Sequence, residues 1–193
     1  MTDKDRGSST AIKGYSAVAR TFHWLTVAFV LVQVPIGITM VYRGYTLNIW
    51  DDATNQLYST HKLVGFTLLW LVLARIAYRL WHGAPPPEPT LEPWQRRGST
   101  IVHDTLYVLL VVVPILGWTG ISLYPALDIF GLFSLPALAS PNQDMANVVL
   151  EIHTSLAWLL IVLVIGHVGM ALFHYFVRKD HVLQRMLSGL PRR

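Results

Sequence analysis

The stretch EIHTSLAWLLIVLVIGHVGMALFHYFVRKD, residues 151–180, indicates the fold of this chain. From Thr154 to Val177 it carries no Asp, Glu, Lys or Arg, and about 20 apolar residues are enough for a helix to cross the hydrocarbon core of a bilayer. The same stretch holds histidines at positions 153, 167 and 174. Because imidazole is costly in hydrocarbon, histidines in a membrane helix indicate a functional site.

The rest of the sequence has the composition of a membrane protein. Hydrophobic residues make up 53% of the chain and charged residues 13%, and the mean hydropathy is +0.44. Charged residues make up about 25% of an average soluble domain. The apolar stretches predict four membrane helices, at about 18–43, 59–82, 100–124 and 149–178. We therefore expect an all-α, integral membrane four-helix bundle over residues 18–181, between terminal tails at 1–17 and 182–193.

The basic residues indicate the orientation of the bundle. All of the 15 Lys and Arg residues except Arg43 and Lys62 fall in the N-terminal tail, the end of the second helix and its following loop, or the C-terminal tail. The positive-inside rule then places both termini in the cytoplasm. The pI near 9.5 reflects this topology and contact with anionic lipid, rather than binding of nucleic acid. The first apolar stretch is too long for a cleaved signal peptide and is expected to stay as an anchor.

Two connecting segments have distinct compositions. The inner segment APPPEPTLEP, residues 84–93, reads as a stiff polyproline-like strap that lies on the surface. The outer segment, residues 124–149, is apolar but broken by three prolines and a glycine. It either caps the outer end of the bundle or lies in the membrane interface.

Four of the eight histidines are predicted to form two layers. A helix rises about 1.5 Å per residue, so the fourteen residues from His153 to His167 advance about 21 Å and return to within about 40° of the same face. Helices two and four both begin at the outer side, which places His61 at the depth of His153. Helix one begins at the inner side, which brings His23 to the level of His167.

Two bis-histidine haem b groups between the helices are the chemistry that this pattern favours. The chain has no cysteine, which excludes iron–sulfur clusters and covalent c-type haem. A zinc site usually clusters four ligands tetrahedrally, whereas these residues form two separate pairs. We expect His61 and His153 to ligate an outer haem, and His23 and His167 an inner haem. Proton or solute transport by histidines without haem remains an alternative.

The predicted haem-binding set contains three further residues: Arg20, Arg75 and Gly65. The same fourteen-residue interval leads from His61 to Arg75, whose guanidinium would pair with a propionate of the inner haem, although it could also snorkel to the headgroups. From His23 the interval leads to Gly37 at the outer level, and Gly65 lies one turn after His61. Glycines let a macrocycle approach the backbone, and they also serve plain helix packing.

Four short motifs resemble the bacterial cytochrome b561 family: FHWL at 22–25, THKLVG at 60–65, EIHTSLAW at 151–158 and GHVGMALFHYFVRKD at 166–180. The resemblance extends from about residue 15 to residue 191. It points to the short four-helix members, which act as membrane-bound superoxide oxidases. The resemblance implies ligation of two haems by the four histidines named above, one pair per haem, in a multi-pass protein of the bacterial inner membrane.

The resemblance also implies a reaction, in which superoxide from the periplasm gives its electron to the haems, which pass it to ubiquinone and release molecular oxygen. Positive charge would steer this anion, and the outer side offers Lys62 and Arg43 against several carboxylates. The resemblance places ubiquinone at the last turn of helix four, on His174 and Arg178. His103 is a lesser candidate for the same site, and both of these histidines are expected near the inner surface.

A second interpretation from another class stays open. The chain would be a non-catalytic cytochrome b subunit that carries electrons for a dehydrogenase, a hydrogenase or a periplasmic redox partner. The expected partners are superoxide, ubiquinone and the lipid bilayer, with no nucleic acid, and the sequence predicts no oligomeric state.

Overall fold

The computed structural model describes residues 14–187, and most of them lie in four long helices. These helices are α1 (Ala17–Val41), α2 (Asp52–His82), α3 (Pro93–Leu123) and α4 (Gln143–Phe173). Two π-helical turns, Tyr42–Thr46 and His174–Arg178, extend α1 and α4, and a short 3-10 turn spans Leu183–Arg185. All four helices are long and apolar enough to cross a membrane. The predicted all-α four-helix membrane fold is confirmed.

Three of the helices begin earlier than the predicted positions 59, 100 and 149, and polar caps explain the difference. The carboxylate of Asp51 accepts a hydrogen bond of 2.9 Å from the backbone N–H of Thr54. The side chain of Asn142 accepts one of 3.1 Å from the N–H of Met145, and α3 begins with a capping box and a proline. Such caps stabilise first turns made of polar residues, whereas the predicted boundaries follow the apolar stretches alone.

The helices pack in chain order, with α1 on α2, α2 on α3 and α3 on α4. One apolar core joins α2, α3 and α4; it consists of Leu68, Val72, Leu106, Leu109, Leu110, Val113 and Leu160. Many large apolar side chains outside this core are exposed, as expected where helices that are apolar on all sides face lipid. Helix α4 makes far fewer backbone approaches to α1 and α2 than to α3. The seams α1/α4 and α2/α4 are therefore the looser parts of the bundle.

The outer segment between α3 and α4 caps the bundle, which is one of the two placements that the sequence allowed. It contains a hairpin of β1 (Asp128–Ile129) and β2 (Phe133–Ser134). The side chain of Ile129 is fully buried, and the hydroxyl of Ser59 on α2 accepts a hydrogen bond of 3.2 Å from the N–H of Phe130. These contacts hold the cap on the outer part of α2.

The inner end is closed by the proline strap and the C-terminal segment. The buried Arg185 donates a hydrogen bond to the backbone carbonyl of Pro86, and its guanidinium lies 3.8 Å from the carboxylate of Glu88. The strap lies largely on the surface, as the sequence predicts, but the side chain of Glu88 is buried because it faces Arg185. Residues 182–187 of the predicted tail likewise pack on the bundle, and residues 1–13 and 188–193 lie outside the described residues.

Candidate functional site

His61 on α2 and His153 on α4 face each other in the outer half of the bundle. Their ring centroids are 6.3 Å apart and the ring planes cross at 88°. With metal–nitrogen bonds of about 2 Å, two imidazoles on opposite sides of one metal ion have centroids about 6 Å apart. The spacing would therefore let both residues hold a single metal ion between them.

Each of these two rings lies against a glycine of a neighbouring helix. A Cβ atom on Gly37 would be 2.9 Å from Cε1 of His61, and a Cβ atom on Gly117 would be 3.0 Å from Cε1 of His153. In both cases Nδ1 lies nearer to the glycine than Nε2 does, at 3.2 Å against 4.0 Å for His61 and 3.1 Å against 3.7 Å for His153. The more distant Nε2 is thus the nitrogen available for a metal. The sequence placed Gly37 at this level but gave no role to Gly117.

The two outer rings are held differently. Nδ1 of His153 lies 2.8 Å from the carbonyl oxygen of Val113, and a carbonyl only accepts, so this nitrogen carries the proton and Nε2 keeps its lone pair. Among the described residues, the buried Nδ1 of His61 has no hydrogen-bond partner. The backbone carbonyl of His61 accepts a 3.0 Å bond from Gln33. A Cβ on Gly65 would be 2.9 Å from Nε2 of Gln33, so this glycine makes room for the amide.

A cavity of about 1400 Å³ surrounds the outer pair. All four helices and the outer cap line it, and both imidazoles and the two glycines that face them are part of its wall. Binding sites for cofactors are typically concave and largely apolar, with a few polar groups that fix the orientation. The cavity therefore has room for a large planar group between His61 and His153.

His23 on α1 and His167 on α4 form a second pair in the inner half. Their ring centroids are 6.4 Å apart and the planes cross at 72°, which repeats the spacing of the outer pair. The ring of His103 lies beside this pair, 5.1 Å from the ring of His167, and is half-buried rather than at the surface as expected. Within residues 14–187, no group of three or more His, Cys, Asp or Glu is arranged to hold a metal ion.

Arg75 extends from α2 to the inner pair. Its guanidinium donates a 3.0 Å hydrogen bond to Nδ1 of His23 and lies over the ring of Tyr107 at 5.2 Å, while Arg79 lies 5.6 Å from the same ring. Iron bound to Nε2 would leave the proton on Nδ1, so the guanidinium would then need another acceptor. A haem propionate, as the sequence predicts, is a suitable one. Arg20 lies three residues before His23 on α1.

The histidine at the end of α4 is buried, whereas the sequence placed it near the inner surface. His174 is 5% exposed, and its Nδ1 lies 2.6 Å from a carboxylate oxygen of Asp180, which is 7% exposed. The chain reverses at Lys179, where φ is +54°, and this turn brings Asp180 back onto the helix end. The guanidinium of Arg178 donates a 3.2 Å bond to the carbonyl of Thr90 in the strap.

The positive charge of Arg43 is paired with a carboxylate. Its guanidinium contacts both carboxylate oxygens of Asp51, at 3.0 and 2.7 Å, and donates a 3.0 Å bond to the hydroxyl of Thr54. The pKa of Asp51 is lowered to about 2, first by the hydrogen bond from the backbone N–H of Thr54 and then by that from Arg43. Arg43 therefore joins the end of α1 to the start of α2.

Lys62 lies next to the outer pair and has different partners. Its ammonium group donates hydrogen bonds to the backbone carbonyls of Ala126, at 3.0 Å, and Asp128. Both of these acceptors are neutral groups of the outer cap. Lys62 therefore fastens the cap beside His61 while its charge stays without a directly bonded carboxylate among the described residues.

A family model described as prokaryotic cytochrome b561 matches residues 14–189. The chain belongs to this family. Cytochrome b561 homolog 2 of Escherichia coli strain K12 is 32% identical to it over 175 residues, which cover 90% of this chain and 91% of the relative. Cytochrome b561 homolog 1 of the same strain is 26% identical over 175 residues, with coverage of 89% and 93%. A "Probable superoxide oxidase CybB" of Yersinia pestis is 27% identical over 176 residues, with coverage of 91% and 96%.

Membership of the cytochrome b561 family makes this chain a multi-pass bacterial membrane protein of electron transfer, with haem b as its cofactor. The residues present fit that group. Both imidazole pairs have a spacing that would let each hold the iron of one haem, and in both outer rings Nε2 is the nitrogen farther from the facing glycine, Gly37 or Gly117. Each pair also bridges one of the looser seams, α2/α4 or α1/α4.

Proposed function

We propose that this chain is a superoxide:ubiquinone oxidoreductase that carries electrons from the outer to the inner side of the bacterial inner membrane, with both termini in the cytoplasm. The observation that carries the proposal is the presence of two imidazole pairs with nearly equal spacings of 6.3 and 6.4 Å, one toward each side of the membrane. The Yersinia pestis relative named a probable superoxide oxidase supports superoxide as the donor.

The proposed reaction balances with two electrons. Two superoxide ions lose one electron each and leave as molecular oxygen, and ubiquinone takes up two electrons and two protons to become ubiquinol. Bound haem b supplies one-electron carriers between the two substrates. The protein's own part is to hold His61 with His153 and His23 with His167 at fixed separations, and to bind the substrates at the two ends.

Lys62 is the residue proposed to attract superoxide at the outer end. It follows the predicted ligand His61 directly, it lines the same cavity, and its described acceptors are neutral carbonyls. A partly desolvated positive charge attracts an anion more strongly than one in bulk water. Arg43 contributes less to this attraction because Asp51 compensates its charge.

His174 is the residue proposed to deliver a proton to ubiquinone at the inner end. The carboxylate of Asp180 accepts from Nδ1 at 2.6 Å, which orients the ring and leaves Nε2 for a quinone oxygen. Arg178 and His103 remain candidates for contacts with the quinone ring, from the strap side and from the side of His167.

The proposal is tested with the purified protein, a superoxide source and ubiquinone. We expect b-type absorption equivalent to two haems per chain, rapid reduction of these haems by superoxide, and ubiquinol formation above the spontaneous background. Added superoxide dismutase should abolish both effects. The proposed oxidoreductase activity is rejected if superoxide leaves the haems oxidised, or if reduced haems yield no ubiquinol above background.

A second function, electron transfer for a periplasmic redox partner, is favoured by the charges of the outer side. Five carboxylates lie on that side among the described residues: Asp51, Asp52, Asp128, Asp144 and Glu151. They outnumber Arg43 and Lys62, so the outer surface as a whole attracts a cationic partner better than an anion. This function would be supported if a basic redox protein reduces the haems quickly and superoxide does not reduce them.

A further inference from the structure

The inner histidine pair lies beside two positive charges. The guanidinium of Arg75 is 3.0 Å from Nδ1 of His23. The guanidinium groups of Arg75 and Arg79 both lie over the ring of Tyr107. Both guanidinium groups act electrostatically on His103, and the carboxylate that acts on the same residue is the exposed Asp104. Among the described charges near this pair, the positive ones outnumber the negative ones.

The outer histidine pair has the opposite balance. One positive charge, on Lys62, lines the cavity around it, together with the carboxylates of Asp52, Asp128 and Glu151. The remaining outer cation, Arg43, is compensated by an ion pair of 2.7 Å. The surroundings of the outer pair are therefore more negative than those of the inner pair.

The hydrogen bonds of the rings add to this difference. Nδ1 of His153 donates to the carbonyl of Val113, which makes a ligating imidazole more electron-rich and favours ferric iron. On the inner side a guanidinium approaches the ring of His23, and a nearby cation favours the form of lower positive charge, ferrous iron. Both haems would bring the same two propionates, so the side chains of the protein set the difference between them.

We propose that Arg75, supported by Arg79, raises the reduction potential of the inner haem above that of the outer haem. With both haems bound, one electron would pass from the outer haem, which would be oxidised, to the inner haem, which would be reduced. This direction of transfer is energetically downhill and independent of the chemical nature of the donor. The inference rests on the haem ligation of the proposed function but on neither superoxide nor ubiquinone.

The test is an equilibrium redox titration of the purified haem-loaded protein with chemical mediators, followed by absorption spectroscopy. The outer haem is assigned as the one missing from the His153→Ala variant. We expect Arg75→Gln to lower the potential of the inner haem by at least about 59 mV, which is a tenfold change in a one-electron equilibrium, and to leave the outer potential within a fraction of that shift. Arg75→Lys, which keeps the charge, should retain most of the wild-type potential.

Two further variants separate the effect of charge from that of structure. Arg79→Gln should shift the inner potential in the same direction by a smaller amount, and it decides the question if Arg75→Gln fails to hold the inner haem. Arg97→Gln removes an exposed positive charge at the start of α3 and should shift neither potential. The inference is overturned by an inner potential that stays unchanged in Arg75→Gln, by one that stays unchanged in Arg79→Gln where Arg75→Gln does not hold the inner haem, by equal shifts in Arg97→Gln, or by a wild-type inner potential at or below the outer one.

The titration also distinguishes this inference from the proposed function. If the potentials shift as predicted but superoxide does not reduce the haems, this inference is kept and superoxide is rejected as the donor. If superoxide reduces the protein but the inner potential is unchanged in the Arg75 and Arg79 variants, the proposed donor is kept and this inference is rejected. A protein without haem would overturn both.

Discussion

His153 donates its Nδ1 proton to the carbonyl oxygen of Val113, 2.8 Å away across the α3/α4 interface. This bond fixes the tautomer and leaves the lone pair of Nε2 free for a metal ion. The ring of His61 is positioned by packing instead, because it lies against Gly37 on α1. One imidazole of the outer pair is thus oriented by a hydrogen bond and the other by the missing side chain of a neighbouring helix.

We expect His61→Ala and His153→Ala each to abolish binding of the same haem and to leave the other in place. The two residues face each other at 6.3 Å, so removal of either takes away one axial ligand of a single iron. Haem content per chain and the reduced absorption spectrum measure the loss. His23→Ala and His167→Ala should remove the other haem, and two outer variants that lose spectrally different haems would contradict the pairing.

We expect Gly117→Ala to weaken binding of the outer haem. The added Cβ would lie 3.0 and 3.1 Å from two atoms of the His153 ring, and overpacking of this kind costs about 1–3 kcal/mol. Titration of the haem-free protein with haem should show an affinity for the outer site about 10 to 100 times lower. Gly169→Ala is the matched control on α4, since its Cβ meets no described atom within 4 Å. Equal losses in both variants would contradict the role of Gly117.

The sequence predicts the bundle and the histidine pairs because both depend on helical regularity. Apolar stretches of membrane length indicate each helix, and a fixed rise per residue places His153 and His167 at two depths. The contacts that orient the rings depend on how neighbouring helices rotate and approach, and a single sequence does not specify this. Gly117 is one such contact, since it lies in α3 far from His153 in the sequence.

The inner end shows the same limit more clearly. A regular helix through Asp180 would turn its carboxylate away from His174, but the chain leaves the helix at Lys179 with a positive φ. The ion pair of Arg185 with Glu88 joins segments that are far apart in the sequence. Both contacts depend on irregular backbone, for which periodicity gives no prediction.

We expect His174→Ala to slow ubiquinol formation at least tenfold and Asp180→Asn to slow it less, with haem content unchanged in both. Loss of the imidazole removes the proposed proton donor, whereas loss of the carboxylate removes only the group that orients it. The measurement is ubiquinone reduction by chemically reduced protein, with the haem spectrum as an independent readout. His82→Ala, at the exposed end of α2, is the control. Unchanged ubiquinol formation in His174→Ala would contradict this placement of the quinone.

The hydrogen bonds that the carboxylate of Asp51 accepts from the backbone N–H of Thr54 and from Arg43 should make the stability of the protein depend on pH below about 4. The pKa of Asp51 is lowered to about 2 from its ordinary value of 3.8, so the folded state favours the charged carboxylate. Its contribution is present above pH 3.8 and is lost as the pH falls toward about 2. Asp51→Asn keeps a side chain that can cap α2 but removes the charge.

The thermal midpoint of the detergent-solubilised protein should therefore be lower in Asp51→Asn than in wild type at pH 7, and the difference should shrink as the pH approaches 2. Asp144→Asn, on the same side in the first turn of α4, is the matched control for loss of one negative charge. A difference between Asp51→Asn and wild type that grows on acidification would contradict the direction of the pKa change.

We expect Lys62→Met to slow the reduction of the outer haem by superoxide about tenfold, the lower end of the effects that steering by charge has on association rates. Lys62 also holds the outer cap. Ser59→Ala therefore serves as the control, because it removes another hydrogen bond to the cap, the one from the N–H of Phe130, without changing a charge.

The carboxylates of the outer surface act over longer distances, and salt screens exposed charges more than partly buried ones. Raising the ionic strength should therefore speed the reaction of the wild-type protein, and Glu151→Gln should speed it at low salt. Stopped-flow measurement of haem reduction tests these expectations. A Lys62→Met rate equal to wild type at every ionic strength would contradict the proposed role of Lys62 and would favour a cationic protein as the donor.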